Sequence, residues 1–366
     1  MSARMTSQLA LVLSAFTAFA ALSGCGGSAV PARATGAGPG PTDSAASTDS
    51  TANPVTASRP RARPKARPAP PSYPILLPAA DGSVGPTLTP VVRWRGQTAA
   101  WIARTPSGVT LLSFDQRLVV LALHAGTVDP GGAGWRYGPA VIGAERDRLI
   151  AAFNGGFRLS TGAGGFMSAG RVAVPLRDGV GSIVTYADGT TDVGSWNGEV
   201  PRAGAAVQSV RQNLSLLIDH GVAASTIDCR HCWGATIGGR LDVARSALGV
   251  SADGRLVWAA GENLSVAALA DALRGAGVVR AVELDVNPDW VVGYLYRQHA
   301  ATTTATTTAS PAASVTTPTA TTASLAAATT APSPPPGVVT AVPGQVGANG
   351  SFLAPYSRDF FAVTAR

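Results

Sequence analysis

The chain has 366 residues, of which 46% are hydrophobic and only 13% charged, and it carries a formal charge of +7. The length admits two domains, but Ser, Thr, Ala and Pro stretches that cannot build a core flank the middle of the sequence, so one folded domain is expected. Arg59, Arg61, Arg63, Lys65 and Arg67 fall in a single proline-rich run, and removing these five takes +7 to +2. This argues against a basic face for nucleic acid on the folded part, and no nucleic-acid partner is expected.

Arg4 precedes an apolar run from Leu9 to Leu22, shorter than the ~18 residues a membrane-spanning helix needs, so residues 1–25 are expected to be a secretory signal. The following Leu22-Ser23-Gly24-Cys25 resembles a bacterial lipobox, which makes Cys25 the expected lipid-bearing residue; an ordinary signal peptide with a chance cysteine is the alternative. Residues 26–74, rich in Pro and Arg, bury too little apolar surface to offset the entropy of ordering and are expected to be a disordered tether. Its prolines could also serve as a ligand, and its arginines could touch anionic lipid or cell-wall polymer.

Folded sequence is expected from Ile75 to His299. Val91 to Arg95, Gln97 to Arg104, Val109 to Phe114 and Gln116 to His124 read as short strands broken by turn signals. Ile142 to Phe153 has helical spacing with Glu145, Arg146, Asp147 and Arg148 outward, and it runs into Asn154-Gly155-Gly156. Strands are expected again at Ser182 to Tyr186, Leu214 to Asp219 and Ser246 to Val250, the last forming a hairpin with Arg255 to Ala259. Cys229 and Cys232, in Cys-Arg-His-Cys, read as a disulfide staple; a redox pair or a site using His231 are the alternatives, and a zinc site lacks a second cysteine pair. Ser265 caps a predicted helix through Arg274, and Val278 to Val286 is an apolar strand interrupted by Arg280, Glu283 and Asp285. Residues 300–343 read as a disordered Thr/Ala/Pro insertion, and 344–366 as a closing segment whose Asp359-Phe360-Phe361-Ala362-Val363 supplies a final strand. The predicted fold class is α+β: a mixed, sheet-rich single domain with a few packed helices.

Taken together, Ala152-Phe153-Asn154-Gly155-Gly156-Phe157, Arg245-Ser246-Ala247-Leu248-Gly249-Val250 with Asp253-Gly254, the helix followed by Glu283-Leu284-Asp285, and the closing strand resemble the phosphodiester glycosidase family in order and spacing. One departure is visible. Where that family has Asp-Gly-Gly, this chain has Asp285-Val286-Asn287-Pro288, a stiffer turn.

The resemblance implies hydrolysis of a sugar joined through its anomeric carbon to a phosphodiester. Such chemistry needs a cation for the phosphate and a carboxylate to activate water or attack carbon. Arg245 is the first candidate for the phosphate and Arg211 the second, with salt bridges to Asp219 or Asp242 as the structural alternative. Asp285 and Glu283 are expected to be the catalytic carboxylates, with capping of the Asn287-Pro288 turn as the structural alternative for Asp285; period two puts the pair on one face, which raises one pKa. Asn154, Gly155 and Gly156 are expected to bind sugar or phosphate, with Asn154 satisfying backbone groups at the turn as the alternative, and Asp219, beside His220, is a further binding or acid–base candidate that a solvent-facing turn before Gly221 explains equally well. Nothing resembles a phosphate loop, a zinc hydrolase or a serine elbow, so no cofactor and no metal are expected. The expected partners are a carbohydrate or glycosyl phosphate and, through the lipid anchor, the membrane. The competing readings are a non-catalytic module for envelope carbohydrate or phosphopolymer, and a structural envelope protein.

Overall fold

The computed structural model describes residues 75–76, 87–234, 236–296, 337–346 and 351–366. The signal segment, Cys25, the tether and most of the insertion therefore lie outside the described residues. Among the described residues, three antiparallel sheets carry the fold. The largest has nine strands, in spatial order Ile75–Leu76, Thr89–Trp94, Gln97–Arg104, Thr110–Phe114, Leu256–Leu264, Val243–Ser251, Val278–Glu283, Leu216–Asp219 and Val222–Ala223. A five-stranded sheet runs Thr191–Ser195, Gly181–Tyr186, Val207–Gln212, Phe166–Ser168, Arg171–Val174. The other runs Val338–Thr340, Gly293–Tyr296, Leu149–Asn154, Phe360–Ala365, Val119–His124.

The expected α+β class is thus corrected to mainly β, because among the described residues the only α-helices are Gly143–Arg146 and Val266–Gly275. Much of the difference lies at Ile142 to Phe153. Only Gly143–Arg146 is helical there, and Leu149–Asn154 is a strand with all six residues buried. That strand gives Ile150, Ala151 and Phe153 to the main core and Leu149 and Ala152 to a second one. A strand buried on both sides reads as a continuous apolar run, which periodicity does not separate from a helix.

The second helix forms where its cap predicts. Ser265 Oγ accepts from Ala268 N at 3.1 Å, and Val266, Leu269, Ala270 and Leu273 turn inward. They pack on Leu217, Ile218, Ala247, Val257, Ala259 and Ala281 of the nine-stranded sheet, leaving Asp271 and Arg274 exposed. The charges that interrupt the adjacent strand are paired, Arg280 with Asp192 at 2.6 Å and Glu283 with Arg245 at 2.6 Å.

The last strand, Phe360–Ala365, lies between Leu149–Asn154 and Val119–His124 with all six residues buried. The boundary placed at residue 343 shifts, since Val338–Thr340 pairs with Gly293–Tyr296 inside the stretch assigned to the insertion. No helix among the described residues is long and apolar enough to cross a membrane.

Candidate functional site

Where the strand Val278–Glu283 ends, the backbone stays tied to its neighbour: Leu284 N donates to Ser246 O at 2.7 Å and Ser246 N to Asp285 O at 3.0 Å. This delivers Asp285 to the edge of the sheet, where its Oδ1 accepts from Val286 N at 2.8 Å and Asn287 N at 3.0 Å. The Asn-Pro turn that follows is closed by Trp290 N and Val291 N, both donating to Asn287 O at 2.9 Å. The stiff turn thus fixes the carboxylate by its own backbone and brings Trp290 round beside it.

Asp285 opens into a cleft of about 410 Å³, whose polar lining also includes Arg158, His231, Asn287 and Arg358 and whose apolar lining includes Phe157, Leu214, Val286 and Trp290. Arg358, just before the last strand, ties three segments together. Its Nη2 donates to Gly156 O at 2.6 Å and Asp285 Oδ2 at 3.3 Å, and its Nε lies 3.1 Å from Asp129 Oδ2. Its guanidinium sits 5.0 Å from the centre of the Trp290 ring. Nη1 has no acceptor among the described residues. Burial pushes the Asp285 carboxyl upward; Arg358 and the Asn287 and Val286 amides oppose this, and the Asp359 charge adds to it.

Two expected phosphate-binding arginines are elsewhere. Arg245 is spent inside the protein: Nη1 donates to Glu283 Oε1 at 2.6 Å and Trp233 O at 3.3 Å, Nε to Leu264 O at 2.8 Å and Nη2 to Leu241 O at 2.9 Å. Arg211, 0% exposed, pairs with Asp359 through Nε–Oδ2 at 2.7 Å and also donates to Gln212 O at 2.7 Å and to Phe157 O. Neither lines the cleft. Neither pairs with Asp219 or Asp242, because the tertiary fold supplies closer carboxylates.

Glu283 is also withdrawn from the cleft. Although Arg245 favours its carboxylate, complete burial outweighs that ion pair and pushes the group up to about 8, with Asp285 adding repulsion. Its Oε2 has no hydrogen-bond partner among the described residues. The two carboxyls sense each other, yet only Asp285 is reachable by a ligand.

Asn154, Gly155 and Gly156 lie under the site and do not line it. Asn154 Nδ2 donates to Ser246 Oγ at 3.0 Å, and the same oxygen is 3.3 Å from Asp285 N, so Asn154 braces the strand end that carries Asp285. The glycines are needed for close approach by the protein itself. A Cβ on Gly155 would stand 2.0 Å from Asp359 Oδ2, and one on Gly156 2.2 Å from Asn213 Oδ1.

Asp219 is not among the cleft-lining residues; it lies with His220 and Glu199, whose ligand atoms fall within 4.8 Å of one another. Cys229 and Cys232 are joined in a disulfide, and Cys232 and His231 line the cleft. Arg358, Asp129, Trp290 and Arg158 belong to the site without a sequence motif that marks them. A hint existed for Arg358 alone, which directly precedes Asp359 of the closing motif.

No protein-family model and no curated protein matches the chain. Among solved structures, the catalytic domain of zebrafish N-acetylglucosamine-1-phosphodiester alpha-N-acetylglucosaminidase is similar at 18% identity and a TM-score of 0.38, over 63% of this chain and 75% of that one. A hypothetical protein from Synechocystis is similar at 14% identity and a TM-score of 0.36, over 75% of this chain and 66% of that one. A putative exported protein from Burkholderia pseudomallei is similar at 13% identity and a TM-score of 0.27, over 54% of this chain and 70% of that one.

Proposed function

We propose that the chain is an exported, lipid-anchored hydrolase that cleaves the bond between a sugar's anomeric carbon and a phosphodiester, with Asp285 as the working carboxylate and Arg358, in place of Arg245, as a cation for the phosphate. The observation that carries this reading is the Asp285–Arg358 pair in the wall of the cleft, with only Nη2 of the guanidinium hydrogen-bonded to the described residues. In the reaction a water oxygen bonds to the anomeric carbon as the carbon–oxygen bond to phosphate breaks. The water's proton passes to the carboxylate, and a phosphate monoester leaves with the bonding electrons. Raising the Asp285 carboxyl by burial brings it nearer the range in which a base works at neutral pH. Trp290 offers an aromatic face for the sugar, and Arg358 a cation for the phosphate.

The test is a screen of the full chain against 1-phosphodiesters of several sugars, reading release of reducing sugar. Asp285→Asn should lower turnover by about a hundredfold or more while substrate affinity stays within about threefold. Because both Asp285 oxygens already accept hydrogen bonds, the competing reading is a non-catalytic carbohydrate or phosphopolymer binder. Binding without turnover by the unaltered protein across the screen would establish that reading. The lipid anchor is tested separately: Cys25→Ser should move the protein from the membrane fraction to the soluble one.

A further inference from the structure

Two cationic or ionisable side chains lining the cleft have no work in the fold. Arg158 and His231 are both exposed, and neither makes a side-chain hydrogen bond or ion pair to the described residues. His231 is the one imidazole among the described residues that lines this cleft.

The segment bearing His231 is nevertheless held firmly. Cys229 and Cys232 close it covalently. Trp233 is buried, its Nε1 donates to Thr226 O at 2.7 Å, and its carbonyl accepts from Arg245 Nη1 at 3.3 Å. Gly234 lies so close to Phe157 that an added Cβ would stand 2.8 Å from the ring. A side chain with no internal partner, presented into a cleft from a loop fixed on both sides, is arranged to meet a ligand.

We infer that Arg158 and His231 join Arg358 in forming the phosphate end of the cleft, that they seat the ester so that its anomeric carbon faces Asp285, and that the Cys229–Cys232 disulfide positions His231 for this. The inference rests on the hydrolase reading for its substrate. Cleavage at carbon turns a monoanionic diester into a monoester with charge of about −1.5 to −2 at neutral pH, so the Arg158 guanidinium and an imidazole N–H beside the phosphate stabilise the departing group more than the bound substrate. Arg245 then supports the site from behind by holding the Trp233 carbonyl.

The experiment measures binding of methyl phosphate and methyl sulfate to the full chain by calorimetry at neutral pH under non-reducing conditions. The unaltered protein should prefer the phosphate. His231→Ala and Arg158→Ala should each weaken methyl phosphate by about tenfold, and His231→Ala should narrow the preference over sulfate. A Cys229→Ser, Cys232→Ser double variant, its fold checked by circular dichroism, should lose affinity to a similar extent. No methyl phosphate binding by the unaltered protein, or unchanged affinity in either single variant, overturns the inference, and unchanged affinity in the double variant overturns the disulfide's part in it. Phosphate binding with these losses but no hydrolysis of any glycosyl phosphodiester overturns the hydrolase and leaves the subsite standing. Hydrolysis with unchanged methyl phosphate affinity in His231→Ala does the reverse.

Discussion

Arg358 Nη2 meets Asp285 Oδ2 at 3.3 Å, across 73 positions of sequence. The contact joins the turn after a strand of the nine-stranded sheet to the entry of the last strand of another sheet, so the two sheets share one wall of the cleft. A buried carboxylate tolerates its position when a cation and backbone amides compensate for lost water, and Asp285 has both.

Replacing Arg358 should therefore damage stability and chemistry together. Arg358→Ala leaves Asp285 and Asp129 without their shared cation and should cost about 3 kcal/mol in urea unfolding. Arg358→Lys keeps the charge but loses the fork; it should unfold less readily than the alanine variant yet turn over at least about tenfold more slowly than the unaltered protein. Full activity in Arg358→Lys would remove Arg358 from the site.

Arg211 and Asp359 should behave as structure alone. Both side chains are 0% exposed, so Arg211→Met by itself strands a buried carboxylate and should lose about 3–5 kcal/mol. Adding Asp359→Leu should recover most of that, because it removes the charge that was left unpaired. Equilibrium unfolding of the two single variants and the double variant measures the coupling.

Glu283 gives a pH signature. Its folded pKa, about 8, exceeds the ordinary carboxylate value of 4.5, so between those values the folded protein holds a proton that the unfolded chain has released. Stability then falls as pH rises through that window, by up to about 1.4 kcal/mol per unit for this one group, and levels off above it. Asp285 and Asp359, also raised by burial, act in the same direction. Glu283→Gln mimics the protonated form and should gain on the unaltered protein as pH goes from 5 to 8. A constant difference between the two across that range would mean that Arg245 keeps Glu283 ionised.

Gly155→Ala should destabilise by about 1–3 kcal/mol through overpacking, because the added methyl meets Asp359, which Arg211 pins in place. Thermal unfolding reads the loss. A neutral outcome would require Asp359 to move, and with it the turn that carries Arg358.

The sequence alone determined what is local. Capping by Ser265, the turn signals that separate the early strands, the hairpin around Asp253-Gly254 and the pairing potential of two cysteines three positions apart depend on neighbours a few residues away. The apolar run that carries Asp285 at its end was local too, although the strand expected through Val286 stops at Glu283. Tertiary structure decided the rest. Leu149–Asn154 is a strand because sheet neighbours and two cores enclose it, which no periodicity in its own residues records. Which arginine meets Asp285 was likewise settled by long-range packing. Arg245 faces Glu283, Arg211 faces Asp359, and Arg358 is left at the cleft, since an ion pair is fixed by distance in space and adjacency along a motif does not set that distance.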